Sequence, residues 1–318
     1  MSRWCMLQRG PGCEDRSGQA SVSGADFIVT RQRLSACDRR SWDRSPAKAL
    51  ACVRATLAPQ DEAQSSLSAT RTIALLGALA AALLLVELAL LGVALWRGWA
   101  LAAESRAFEA RPPNPKRTLL VIGDSTAVGT GAELRENSVA GRLSRLVPDV
   151  EITNRAQDGA RTGELIEQLG AAPRAAYDVI LIQSGGNDIL WFTGLRRLRT
   201  ATTRLLKLAQ TRAGRVVMMS TGDVGAAPAF PSPIDGLYSW QTRRVRELFV
   251  ELTSRLEVEY VDLYHPGAEN PFDANPDKYY ATDGLHPSDE GYRLWFEQLT
   301  ADSSILESLS TTESSRLE

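Results

Sequence analysis

Cysteine and histidine are scarce in this sequence of 318 residues, and their positions restrict the chemistry available to the chain. All four cysteines lie near the amino terminus, as Cys5, Cys13, Cys37 and Cys52. Their spacings match neither a zinc site nor a compact disulfide framework. Because no cysteine follows Cys52, no disulfide or thiolate metal site is expected in the rest of the chain. Only His265 and His286 could supply an imidazole base near neutral pH.

The charge balance is nearly even, with 36 Lys and Arg against 38 Asp and Glu and a formal net charge of -2. Because no excess of positive charge is available to neutralise phosphates, we expect no nucleic-acid partner. The hydrophobic share of 44% is sufficient for a sizeable core, which excludes a wholly disordered chain. The sequence does not indicate an oligomeric state.

Residues 1–71 are rich in Arg, Ser, Ala, Asp and Gln and show no sustained hydrophobic period. Such a composition is typical of chain that cannot bury enough apolar surface to fold. We predict that this segment is poorly ordered. The alternative, that translation normally starts further along and the segment is not made, stays open.

An almost unbroken apolar run occupies residues 72–96, where Glu87 is the single charged side chain. As a helix the run would reach about 37 Å, which exceeds the ~30 Å hydrocarbon layer of a bilayer. A core helix of a soluble domain seldom stays apolar on every face over this length. We therefore predict a transmembrane helix or signal-anchor at residues 72–96.

The sequence after this run indicates whether the helix could be cleaved off and which way it would be oriented in a membrane. Ala100-Leu101-Ala102 resembles a signal-peptidase site, so the protein would be secreted if cleaved near Ala102, but the run is longer than a usual signal sequence. Cationic residues are more frequent after the run than before it, which taken literally places the following domain in the cytoplasm. Long domains cross membranes largely regardless of such charges, and we expect the extracytoplasmic side.

Residues 97–117 are predicted to form a Pro-rich linker, since Arg111–Pro115 contains three prolines that favour extended backbone. We expect a domain at 118–302 and a polar tail at 303–318. Strands are predicted at 118–122, 150–153, 178–183, 215–220 and 258–263, and helices near 135–147, 162–170, 195–211, 239–256 and after Pro287. Strands that are apolar on both faces and alternate with helices predict a three-layer α/β/α fold around about five parallel strands.

Polar motifs follow the predicted strands, and in an open parallel sheet such positions meet at one edge. They are Gly123-Asp124-Ser125-Thr126 after the first strand, Asn154 to Gly159 after the second, Gly185-Gly186-Asn187-Asp188 after the third, and Asp283-Gly284-Leu285-His286 late in the chain. Asp124 could belong to a site or merely cap a helix.

The four motifs, in this order and over residues 118–300, resemble the SGNH or GDSL hydrolase superfamily of serine esterases, lipases and acylhydrolases. The resemblance implies a flavodoxin-like sheet and a metal-free, cofactor-free site. It implies Ser125 as the nucleophile, His286 as the base and Asp283 as the residue that orients the base. The N–H groups of Ser125 and Gly159 and the amide of Asn187 would form an oxyanion hole. Thr126 stands where the family motif has leucine.

The residues themselves support these roles. A serine hydroxyl needs an adjacent base to become a nucleophile, and His286 lies three residues after a carboxylate that could fix its tautomer. His265 lies in a predicted turn without such a carboxylate and is the less favoured base. Gly159 could instead be a turn glycine, and Asn187 could be a helix cap.

Several alternatives for function remain open. The same residues could transfer an acyl group to an alcohol other than water, which would make the protein an acyltransferase. The glycines between Gly123 and Gly131 could form a phosphate or flavin cradle, although the usual motif spacings are absent. Trp191, Phe192 and the loop 222–236 could border a pocket for a small-molecule, lipid or glycan ester.

Overall fold

The computed structural model describes residues 61–310, with side chains from residue 70 onward except at 268. The predictions for residues 1–60 and for the end of the tail, 311–318, lie outside the described residues. The chain divides into two compact units, 1–80 and 81–318. Of the first unit, only the helical residues from 61 are described.

The second unit contains one sheet of five parallel strands in the order β2-β1-β3-β4-β5. The strands are Arg117–Gly123 (β1), Val150–Asn154 (β2), Tyr177–Gln183 (β3), Ala213–Met219 (β4) and Glu259–Val261 (β5). Each overlaps a predicted strand. This strand order is that of flavodoxin-like folds, in which β1 and β3 flank the point where the chain reverses its direction across the sheet.

Eleven α-helical segments lie within the described residues. They are Asp61–Glu104 (α1), Ser125–Val128 (α2), Val139–Leu146 (α3), Leu165–Gly170 (α4), Gly186–Leu190 (α5), Leu195–Gln210 (α6), Ile234–Leu256 (α7), Pro271–Ala274 (α8), Pro276–Tyr279 (α9), Asp289–Asp302 (α10) and Ile305–Leu309 (α11). Short 3-10 turns occur at Arg135–Asn137, Val224–Ala226 and Gly267–Glu269.

Two hydrophobic layers cover the two faces of the sheet, because successive strand residues point to opposite sides. In β1, Leu120 and Ile122 pack in the layer formed with α4, α6 and α7. Leu119 and Val121 pack in the other layer, which is formed with α3, α10 and α11. The strands are therefore apolar on both faces, and the predicted three-layer α/β/α architecture is confirmed.

The helix α1 is longer than the predicted apolar run and extends beyond it at both ends, from Asp61 to Glu104. From Thr70 to Glu104 it is long and apolar enough to cross a membrane, and its most apolar stretch is not buried against protein. The structure of residues 97–117 differs from the predicted extended linker. Its first part is helical, Phe108 is buried, and Ala110 forms an antiparallel bridge with Ile152.

The packed part of the chain also continues beyond the expected domain end at 302. Ile305 and Leu309 of α11 are buried in the layer that contains α10. They are four residues apart and therefore lie on the same face of the helix. A composition dominated by Ser and Glu concealed these two apolar positions.

Replacement of Ile305 by Ala is expected to destabilise the domain by roughly 2–5 kcal/mol, because a fully buried side chain leaves a cavity. Glu307→Ala, on the exposed side of the same helix, should change stability by less than about 0.5 kcal/mol. Urea denaturation of the full chain in detergent, followed by circular dichroism, measures both. Equal stability of the two variants would contradict the packing of α11.

Candidate active site

The four predicted motifs meet at the carboxyl edge of the sheet. Ser125 lies two residues after the end of β1, and Asn187 lies in the first turn of α5, just after β3. The two strands are paired neighbours, in register up to Gly123 opposite Gln183. Because parallel strands end at the same edge, the motif residues that follow them lie close together.

Ser125 begins the short helix α2 in a turn whose backbone is tightly packed. A Cβ at Gly123 would come within 2.2 Å of the Gln183 carbonyl oxygen, so only glycine fits there. Asp124 caps the helix by accepting hydrogen bonds from the Thr126 N–H at 3.0 Å and hydroxyl at 2.7 Å. Ser125 is 9% exposed, so the turn presents its hydroxyl at a largely enclosed surface.

A chain of hydrogen bonds links Ser125, His286 and Asp283. His286 Nε2 lies 2.8 Å from Ser125 Oγ, and His286 Nδ1 lies 2.5 Å from Asp283 Oδ2. The other carboxylate oxygen, Oδ1, accepts the backbone N–H groups of Leu285 and His286, both at 3.0 Å. The Asp283 side chain is fully buried and the His286 side chain is 12% exposed.

Close backbone packing holds the loop that carries His286 against the segment after Ser125. At Gly131, which has a φ of +97°, a Cβ would lie 2.5 Å from the Pro287 carbonyl oxygen and 2.9 Å from His286 Cβ. Tyr280 and Pro287 form an antiparallel bridge that closes the base of the loop. The space beside Gly131 is therefore filled by the loop that carries His286. The alternative from the sequence was that the glycines from Gly123 to Gly131 form a phosphate or flavin cradle.

Gly159 and Asn187 lie on neighbouring segments joined by a hydrogen bond. Asn187 Nδ2 donates to the Ala160 carbonyl at 3.2 Å, and the Thr130 hydroxyl donates to Asp158 at 2.6 Å. Gly159 has a φ of +77°, and the space around its missing side chain is open. Within residues 70–310, the N–H groups of Ser125 and Gly159 have no protein acceptor. Both are thus available to a ligand.

Two buried polar side chains beneath these loops, Asp188 and Gln168, were given no role by the sequence analysis. Asp188 accepts the Thr162 N–H at 2.9 Å and hydroxyl at 2.7 Å, which ties the Gly159 loop to α5. Gln168 bonds both the N–H and the carbonyl of Gly123, each at 2.9 Å. A buried amide or carboxylate requires such partners, but sequence alone does not say which backbone groups provide them.

A family model described as the GDSL-like lipase/acylhydrolase family matches residues 121–294, more than half of the chain. The chain belongs to the GDSL-like lipase/acylhydrolase family. The matched range contains Ser125, Gly159, Asn187, Asp283 and His286.

One curated relative in this GDSL-like family is the GDSL-like esterase Rv1075c of Mycobacterium tuberculosis. It is 25% identical over 183 residues, which cover 55% of this chain and 58% of the relative, so the match spans less than two thirds of that protein.

Solved structures with a similar fold include a lipolytic G-D-S-L family protein from Veillonella parvula, with 20% identity and a TM-score of 0.47. The match covers 58% of this chain and 96% of that chain. A second is the psychrotrophic esterase EstA from Pseudoalteromonas sp., with 19% identity, a TM-score of 0.46, and coverage of 59% and 96%. The family assignment rests on the sequence match over residues 121–294.

Two carboxyl groups at this GDSL-family site have pKa values displaced in opposite directions. Burial alone would raise the pKa of Asp283, but the hydrogen bond and charge of His286 and two backbone N–H groups outweigh it and hold that pKa below its ordinary value. Burial raises the pKa of Asp124 to about 6, against the lowering effect of its bonds to Thr126. Asp283 therefore stays ionised to lower pH than Asp124 does.

The other side chains singled out from the sequence lie outside this hydrogen-bond chain. His265 Nε2 is instead 3.1 Å from Gln298 Oε1. Trp191 is 62% exposed beneath the guanidinium of Arg161, and Phe192 is 41% exposed and contacts Tyr238. No group of three His, Cys, Asp or Glu side chains that could hold a metal ion occurs in the described part of the chain.

Asp124→Asn should remove a pH dependence of stability in this GDSL-family domain. The folded-state pKa of about 6 exceeds the unfolded value near 4, so the native state favours the protonated carboxyl. The wild-type free energy of unfolding should therefore fall as pH rises from about 4 through 6, by on the order of 2–3 kcal/mol. Asparagine cannot ionise, and its amide oxygen can still accept the Thr126 N–H.

Urea unfolding of the full chain at pH 4 and pH 8 tests this, with the exposed Asp302→Asn as the matched control. The stability of the Asp124→Asn variant relative to wild type should be greater at pH 8 than at pH 4, while the control shows no such difference. An identical effect of Asp124→Asn at both pH values would sink the interpretation.

Proposed function

We propose that the protein hydrolyses carboxylic esters through an acyl-serine intermediate on Ser125. The observation that carries this proposal is the continuous bonding of Ser125 Oγ, His286 and Asp283 at 2.8 and 2.5 Å. The 2.8 Å between Ser125 Oγ and His286 Nε2 lies within the range required for proton transfer between a nucleophile and its base. The esterase named among the relatives is in accord with this chemistry.

In the first half of the reaction, Ser125 Oγ attacks the ester carbonyl while His286 Nε2 takes the hydroxyl proton. The ionised Asp283 accepts the Nδ1–H of His286, which leaves Nε2 as the basic nitrogen and stabilises the imidazolium that forms. His286 then returns the proton to the departing alkoxide. An alcohol leaves, and the acyl group stays on Ser125.

In the second half, His286 Nε2 takes a proton from a water molecule, whose oxygen attacks the acyl carbonyl. The bond between the acyl carbon and Ser125 Oγ breaks, His286 returns the proton to Oγ, and a carboxylic acid is released. Both halves pass through a tetrahedral oxyanion. The same histidine serves as base and acid in turn, so no further titrating group is needed.

We propose that the Ser125 and Gly159 N–H groups and the Asn187 amide receive the oxyanion. The two N–H groups lack protein acceptors within residues 70–310, and Gly159 leaves open space for an approaching ester. Asn187 keeps one of its two amide hydrogens free when the other bonds Ala160. Donors fixed in advance around such an oxyanion are worth about 3–4 kcal/mol each.

We further propose that residues 72–96 span a membrane and hold the catalytic domain at its extracytoplasmic surface, where it acts on small-molecule, lipid or glycan esters. The apolar side chains of this helix are largely exposed, as those of a lipid-facing helix are. Trp96 and Trp99 are 64% and 70% exposed on either side of Arg97. Tryptophan is enriched where a transmembrane helix meets the polar headgroups.

Ser125→Ala should reduce turnover of p-nitrophenyl acetate to background while the circular dichroism spectrum stays native, because no hydroxyl remains to form the acyl-enzyme. A fluorophosphonate probe should label wild-type protein at Ser125 and should fail to label His286→Ala. His265→Ala is the matched control and should retain both labelling and turnover. Turnover that persists in the Ser125→Ala variant would defeat the proposal.

The sidedness can be tested with reporters fused to the carboxyl terminus of the full chain. An alkaline phosphatase fusion, active only outside the cytoplasm, should be active and remain with the membrane fraction. A cytoplasm-specific reporter at the same point should be silent. The reverse pattern would place the domain in the cytoplasm, in agreement with the flanking charges rather than with this proposal.

A further inference from the structure

We propose that the last turns of α1 form a wall of the catalytic site, with Gly98 as a positioning residue for the Asp283–His286 pair. This inference rests on the proposed function of Ser125, His286 and Asp283. It assigns the turns of α1 from residue 87 onward to contact with the domain, so that only the turns before them face lipid on every side, and it gives the apolar helix a second role besides anchoring. The helix residues concerned, 87–105, all belong to the same compact unit as the catalytic loops.

One face of α1 contacts the domain over several turns. The helix positions that lose exposure recur at intervals of three or four residues, the spacing of a single helical face. They include Glu87, Leu91, Ala94, Gly98, Leu101 and Ser105. Leu91 and Ala94 pack against the hydrophobic layer that contains α7, while the intervening leucines and tryptophans stay exposed. The helix is thus docked along a defined stripe.

Gly98 is the point where this stripe reaches the proposed catalytic residues. A Cβ built at position 98 would lie 3.2 Å from Asp283 Oδ2 and 3.7 Å from His286 Cε1. Oδ2 is the oxygen that bonds His286 Nδ1. Even a methyl group would press on this bond, so the closeness of the helix depends on glycine at this position.

The adjoining residue ties the same turn of α1 to the loop that carries Asp283. Arg97 Nη1 lies 3.5 Å from the carbonyl oxygen of Thr282. On the amino-terminal side of this contact, a cavity of about 520 Å³ is lined by Leu90 and Val93 of the helix and by Pro228 of the facing loop. Of the docked turns, the one with Arg97 and Gly98 therefore comes closest to the loop that carries Asp283.

The Asp283 side chain, which lies beside this wall, has no exposed surface. A carboxylate shielded from water interacts more strongly with its hydrogen-bond partner, because the local dielectric constant is lower. The backbone of α1 at Gly98 would thus limit the movement of the Asp283 carboxylate and of the imidazole edge that carries Cε1 and Nδ1. Cleavage after Ala102 would detach this wall, so the inference also requires that α1 be retained in the active protein.

The test compares Gly98→Val with Gly92→Val in the full chain in detergent. Gly92 lies in the same apolar helix, but a Cβ there meets no atom within 4 Å. Because misplacement of a catalytic group by about 1 Å can cost about 100-fold in rate, Gly98→Val should lower kcat for p-nitrophenyl acetate by about that factor with little change in KM. Gly92→Val should match wild type, and Gly98→Ala should recover much of the loss.

A spectroscopic readout separates positioning from general destabilisation. The proton in the short hydrogen bond between His286 Nδ1 and Asp283 Oδ2 should give a downfield resonance that is absent from His286→Ala. That resonance should persist in Gly92→Val and be lost or shifted in Gly98→Val. It also serves if the valine variant is poorly folded, since the folded Gly98→Ala variant should then show a smaller shift and a smaller loss of kcat.

Wild-type kcat and an unmoved resonance in the folded Gly98 variants would overturn the inference. A higher KM with unchanged kcat would do so as well, because it would indicate obstruction of the substrate instead of displacement of the base. Ser125→Ala measured in parallel keeps the two proposals apart. If that variant retains activity, the proposed function fails; if it is inactive while Gly98→Val is fully active, only the role of the helix fails.

Discussion

The buried hydrogen bond between His286 and Asp283 is the interaction on which the arrangement of this site depends. Asp283 has no exposed side-chain surface, and its two oxygens are occupied by the imidazole and by two backbone N–H groups. A buried charge without these partners would be costly, so the loop and the imidazole are fixed together. Ser125 joins this hydrogen-bond chain through the other ring nitrogen of His286, with its Oγ 2.8 Å from Nε2.

The sheet brings this bond to the serine. Adjacent β1 and β3 end together, which sets Ser125 beside Asn187, while glycine at position 131 lets the late loop with His286 pack against the segment after β1. Both arrangements result from the packing of the backbone and do not depend on the chemistry of the reacting groups. The GDSL-like family match covers the stretch of chain in which these steps occur, residues 121–294.

Much of this could be predicted from the sequence because its signals are local. Alternation of apolar strands with amphipathic helices identified the α/β/α layers, and the motifs after the strands identified the residues that come together. Interactions between distant segments could not be predicted in this way. The close approach of Gly98 to Asp283 joins positions 185 residues apart, and the sequence placed Gly98 in a predicted linker, with no sign of a role at the site. The buried face of α11 was likewise hidden in a polar composition.

The central claim is that Ser125, activated by His286, carries the acyl group during turnover. Rapid quenching in the first turnover of p-nitrophenyl acetate, followed by peptide mass spectrometry, tests it most directly. The account predicts an added acetyl group on the peptide that contains Ser125, formed together with a burst of p-nitrophenol. An acetyl group found on another residue in the course of the same burst would contradict it.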